Sequence, residues 1–107
     1  MDKAQIIAIA AEATKKYLEK FGEQYPCGFA WIDIIPQHKG NTILGKQERA
    51  ELREMGFELD YTGKKFSFWN PSKNSTQSMD AKYEGAMKAA FALQNLGYNA
   101  NAHWRMD

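Results

Sequence analysis

Apolar positions recur at helical spacing through the first twenty residues. Ile6, Ile9, Ala10, Ala13, Tyr17 and Phe21 form one stripe, and Lys15, Lys16, Glu19 and Lys20 fall mostly on the other side. This predicts an amphipathic helix from Asp2 to Phe21, stopped at Gly22. Between Pro26 and Pro36 the pattern changes: β-branched and aromatic residues predict a strand from Gly28 to Ile35. Thr42 is placed to cap a helix over 44–55, which Gly56 ends. Two alternating runs in "FELDYTGKKFSFWN" then flank "YTGK", a hairpin turning where Gly63 supplies positive φ. "PSKNSTQS" reads as loop. Ser78 or Asp80 caps a helix over 79–96, Gly97 stops it, and "YNANAHWRM" alternates as a last strand.

After the first helix the order is strand, helix, strand, strand, helix, strand. This predicts an α+β domain with a ferredoxin-like βαββαβ antiparallel sheet over 28–105 and an extra N-terminal helix over 1–22. A chain of 107 residues makes one domain, 1–107. Helices pack on one face of such a sheet, so the other face is solvated, or covered by the extra helix or by a partner.

Side chains alternate along strands. Ala30, Ile32 and Ile34 form the inward set of the first strand, and Phe29, Trp31, Asp33 and Ile35 the outward set, which holds the charge. In the last strand Tyr98, Ala100, Ala102 and Trp104 point inward, and Asn99, Asn101, His103 and Arg105 outward. In the hairpin Phe57, Leu59 and Tyr61 oppose Glu58 and Asp60 and are expected inside. The strand after the turn is open: either Phe66 and Phe68 are core and Lys65, Ser67 and Trp69 are displayed, or the reverse. Both choices leave aromatic surface uncovered, the mark of an interface.

Composition narrows the function classes. With 44% apolar and 13% aromatic residues the chain builds a core without disulfides or a metal. Fourteen basic and 13 acidic residues give a net charge of +1, too balanced for a polybasic nucleic-acid binder. The one cysteine, Cys27, suits a reducing cytosol. No apolar run approaches the roughly 20 residues that span a bilayer, and the N-terminus is unlike a signal peptide.

Candidate chemistry is sparse. RNA-recognition sheets stack bases on aromatics of their central strands. "KKFSFW" (Lys64 to Trp69) is similar to their basic–aromatic–small–aromatic motif but lacks its glycine. Cys27 with His38 or His103 is the one nucleophile–base combination. Asp33 and His103, on adjacent strands, form either an acid–base couple or a charge pair. Two histidines and one cysteine without close spacing make no metal site, and neither "GKKF" nor "LGKQE" is a phosphate loop.

The stretches "CGFAWIDIIP", "LGK", "GFELDYTGKKFSFWNPS", "QSMDAKYEGA" and "RMD" together resemble a family of small uncharacterised tailed-bacteriophage proteins. The resemblance covers most of the chain from Cys27 onward and is strongest from Cys27 to Ala86. "REMGFELDYTGKKFSFWNP" is also similar to small helix–Gly–hairpin modules attached to DNA-processing enzymes. The first resemblance implies action in the cytoplasm of an infected bacterium, by stoichiometric binding of a host protein.

These readings converge on a non-enzymatic binding protein without cofactor or metal. It would act through protein–protein contacts, as a homodimer or by engaging a bacterial host or anti-phage defence protein. The expected surface comprises Trp31, Asp33, Lys64, Lys65, Phe66, Phe68, Trp69, Asn70, Lys73, His103 and Arg105, with the polar loop 70–77 contributing. The alternative from another class is single-stranded nucleic-acid binding on the same aromatic face.

Overall fold

A computed structural model describes all residues, 1–107. The fold is α+β, in the order α1 (Lys3–Phe21), β1 (Gly28–Ile34), α2 (Ile43–Glu54), β2 (Glu58–Leu59), β3 (Phe66–Trp69), α3 (Met79–Asn95) and β4 (Ala100–Met106). The strands form one antiparallel sheet in the order β2-β3-β1-β4. Polar caps start all three helices. Asp2 accepts from the Gln5 N–H, and Gln5 Oε1 in turn accepts from the Asp2 N–H, a reciprocal capping box. Thr42 and Ser78 accept from Gly45 and Ala81.

The helix layer departs from the expected arrangement. α1 packs along α3 on the inner face of the sheet, and α2 reaches the core only near its C-terminal end, through Leu52 and Met55. The α1 stripe is centred on Ile6, Ala10 and Thr14, all fully buried. Thr14 enters the core because its Oγ1 donates to the Ala81 carbonyl across the helix pair, at 2.8 Å. Gly85 lies directly below: a Cβ there would strike Thr14 Oγ1 and the Ala10 carbonyl. Small residues on α3 thus let two helix backbones come close enough for a side chain of one to bond the backbone of the other.

Beneath this pair lie Ala30, Ile32 and Ile34 of β1, Phe66 and Phe68 of β3, Ala100 of β4 and Phe57. The open alternative in β3 is therefore resolved: the phenylalanines are core, and Trp69 points to the opposite face. Phe66 and Phe68 are accordingly removed from the expected binding surface. Phe68 meets Phe57 edge to face at 5.4 Å, a geometry that the aromatic quadrupoles favour.

The hairpin reading needs a second correction. Only Phe57 of the expected inward set is buried. Leu59 keeps the right parity, opposite Phe66, but is half exposed at the sheet edge, and Tyr61 lies in the turn in full contact with solvent. β2 is two residues long, so the pairing ends before the alternation does. The turn is held locally, with the Asp60 N–H bonded to the Lys65 carbonyl, the Gly63 N–H to the Asp60 carbonyl, and Gly63 at φ +75°.

Gly85→Ala is expected to cost about 1–3 kcal/mol, the usual range for overpacking a closed interface. A fall in the urea midpoint at unchanged m-value would measure it.

Candidate functional site

α1 occupies the inner face, so no element of the chain covers the outer one. Register brings Trp69, Trp31 and His103 side by side on three adjacent strands, through the pairs Trp31↔Trp69 and Trp31↔His103. The Trp69 and Trp31 rings stack at 4.6 Å and 24°, and the Trp31 and His103 rings at 5.8 Å and 27°. The Trp–Trp spacing matches the interstrand distance of a sheet. The rings therefore stand as a ladder running across the strands, and Trp31 has both neighbours filled. Phe29 closes one end, 6.3 Å from Trp69 and nearly perpendicular to it, with the Arg105 guanidinium and the Lys82 ammonium each 5.5 Å from its ring.

Two residues along β1 from Trp31, Asp33 is held beneath this layer with its side chain only 8% exposed. Ser67 Oγ donates a short hydrogen bond to its Oδ1. Lys65 Nζ lies 3.7 Å and His103 Nε2 3.4 Å from its Oδ2. A buried carboxylate is costly unless paired and hydrogen-bonded, and Asp33 is both. The expected Asp33–His103 proximity is present. The carboxylate, however, sits between the hydroxyl and the imidazole, whereas a nucleophilic triad places the imidazole in the middle. The other proposed combinations are not assembled. Cys27 precedes the start of β1, whereas His38 lies beyond its far end, where its N–H bonds Glu48. No three His, Cys, Asp or Glu side chains converge as metal ligands.

Beside the exposed flank of Trp69 lies a groove of about 570 Å³, lined by Lys3, Lys65 and Lys73 and by Asp33, Glu58 and Asp60. β2 is only two residues long and leaves this flank open, and Gly56, at φ +100°, lets the Phe68 ring and the Lys3 stem pack where a Cβ would stand. Asp60 is tied into the turn, accepting from the Thr62 hydroxyl at 2.7 Å and the Thr62 N–H at 3.1 Å. The Thr62 hydroxyl above all holds its carboxyl below the ordinary aspartate range.

The polar loop is less available than its composition implies. From Asn70 to Ser78 every second residue bonds the next in the series. Ser72 Oγ donates to Asn70 Oδ1, the Asn74 N–H to Ser72 Oγ, the Thr76 N–H to Asn74 Oδ1 and the Ser78 N–H to Thr76 Oγ1. Ser72, Thr76 and Ser78 are buried. Asn70, at φ +45°, belongs to this staircase and is half buried, so it supports the surface more than it displays itself. Lys73 is exposed, with its ammonium 5.1 Å from the Phe68 ring.

Of the expected surface, Trp31, Asp33, Lys65, Trp69, His103 and Arg105 share the outer face, Lys64 sits in the adjoining turn and Lys73 on the groove rim. Phe29, Ser67, Glu58 and Lys3 belong to it too. The outward parity of β1 and β3 already pointed to Phe29 and Ser67, whereas Lys3 arrives from α1 with no signal in its own stretch. No family model, curated protein or solved structure matches the chain.

Removing the Asp33 carboxylate leaves the Ser67 hydroxyl without its acceptor, the Lys65 ammonium without its counter-charge and the His103 imidazole without its neighbour. Asp33→Ala is expected to destabilise the fold by about 1–3 kcal/mol in urea denaturation. For Asp60 the folded carboxyl titrates lower than the unfolded one, so its contribution is complete above about pH 4 and is lost as pH falls below that. Asp60→Asn should remove this part of the acid limb in a plot of Tm against pH.

Proposed function

We propose that the chain is a non-enzymatic binding protein whose outer sheet face docks a partner protein bearing acidic and apolar side chains. The observation that carries this reading is the uncovered Trp69–Trp31–His103 ladder, with Trp69 49% exposed. Half-exposed tryptophans with cations at their rim are the residues that dominate binding energy at protein interfaces. The rim carries Lys64, Lys65, Lys73 and Arg105. Twofold pairing of this face with itself would set those cations against their copies, which favours a partner of different sequence.

The strand order supports reading the architecture as a ferredoxin-like unit in which the added helix α1 has taken the place beside α3. The sequence resemblance to tailed-bacteriophage proteins implies action in the cytoplasm of an infected bacterium, with a host or defence protein as the partner. Nucleic acid is the less suitable ligand. Stacking of bases needs free ring faces, whereas here the rings stack on one another.

Pull-down from bacterial lysate with the wild-type chain should retain a specific protein, and Trp69→Ala should reduce its recovery at least about tenfold, as for an interface hot spot. A wild-type chain that retains nothing, or an unchanged yield with Trp69→Ala, removes the reading. Tryptophan quenching by oligonucleotides at low salt, weakening as salt rises, would transfer the face to single-stranded nucleic acid.

A further inference from the structure

The edge of the sheet at β4 has a different character from the ladder. Ile35 donates its N–H to the Asn99 carbonyl, and Asp107 donates its N–H to the Cys27 carbonyl. Hydrogen-bonded pairs alternate along an antiparallel ladder. The odd-numbered residues of β4 therefore turn their backbone groups toward β1, and the even-numbered ones turn theirs outward. The outward carbonyl of Ala100 is already taken, because Gln94 Nε2 of α3 donates to it at 2.7 Å. The outward groups of Ala102, Trp104 and Met106 have no such cover. This segment has few of the usual devices that blunt an edge: it holds no proline and no lysine, its seven-residue register with β1 runs without a bulge, and its one guanidinium, Arg105, belongs to the outer face. Its side chains on the helix side are apolar and open, with Trp104 49% and Met106 58% exposed. Between β4 and α3 lies a groove of about 450 Å³ that includes Met87, Phe91 and Ala102 in its lining.

We propose that β4 pairs antiparallel with β4 of a second copy of this chain about a twofold axis at Trp104, with Met106 of each copy entering the groove over Ala102 of the other. The register follows from the edge itself. The free segment 102–106 has its midpoint at Trp104, and pairing there uses every uncovered donor and acceptor while leaving the Gln94 bond intact. It sets the long Met106 side chain opposite the small Ala102, over the floor of the groove beside Met87 and Phe91. On the outer face it sets Arg105 opposite His103 of the other copy, whose Nε2 lies 3.4 Å from Asp33, so a carboxylate stands near the incoming guanidinium. The occupant is a second copy because the free segment is complementary to itself, large against small and donor against acceptor. The pairing is independent of the partner face proposed above, extends the sheet sideways and leaves both tryptophan ladders uncovered on one continuous surface.

Sedimentation equilibrium over the micromolar range tests this directly. The wild-type chain should be a dimer, and Trp104→Arg, which sets like charges facing across the axis, should raise the dissociation constant roughly 30-fold or more. Ala102→Pro removes an outward donor without touching the bonds to β1, as a proline on an edge strand can, and should also give monomer with an unchanged far-UV circular dichroism spectrum. Trp69→Ala should stay dimeric, which separates this interface from the partner face. In a Cys27→Ser background, Trp104→Cys should yield disulfide-linked dimers on mild oxidation. A monomeric wild type, a dimer that survives both Trp104→Arg and Ala102→Pro, or no cross-link at position 104 would overturn the proposal.

Discussion

The close approach of α1 to α3 is the constraint on which the rest depends. Gly85 and Ala10 remove the side chains that would keep the helices apart, and Thr14 uses the resulting gap to donate to Ala81. A hydroxyl buried this deeply stabilises only because its acceptor is in place. Once α1 is fixed in this position it completes the helix layer on one side of the sheet, and the other side is left to water or to another molecule. The bare face is thus a result of how the first helix is docked.

On that face the energetic arrangement is unusual for a surface. A carboxylate with little access to solvent is surrounded by a hydroxyl, an ammonium and an imidazole, and the imidazole also ends the aromatic ladder. His103 therefore links the two layers, charge below and rings above. The ladder is ordered by cross-strand packing, which makes it a rigid feature of the sheet and not a set of independent side chains.

Much of the fold was legible in the sequence because its signals are local. Gly22, Gly56 and Gly97 stop the chain's helices or follow them closely, each at positive φ, and the single charge in the outward set of β1 settled that strand's parity. β3 was ambiguous because both of its alternating sets contain aromatic residues. Only tertiary packing against Phe57 chose between them. Tyr61 was misplaced because alternation continues in sequence past the point where β2 ends in space. Thr14 was missed because its polarity hides it from a hydrophobic stripe, although its spacing from Ile6 and Ala10 is helical. The outer-face residues of β1 and β4 followed from parity, while the groove beside Trp69 did not, since it depends on where β2 ends in space and on Lys3 from a distant helix. In the loop, the recurrence of Asn, Ser, Asn, Thr and Ser at alternate positions was a signal of internal bonding that reads, on composition alone, as solvated coil.

That staircase from Asn70 to Ser78 bears on how recognition at the neighbouring face would proceed in time. Its buried hydroxyls and successive bonds leave the segment after Trp69 with few conformations to lose on complex formation. The entropic penalty of ordering a flanking loop, about 0.5–1.5 kcal/mol for each immobilised side chain, is largely avoided there. Encounter would then be governed by orientation and charge, and selectivity by the fixed outline of the ring edges, so that a partner must fit the protein because the protein has little freedom to adapt to its partner.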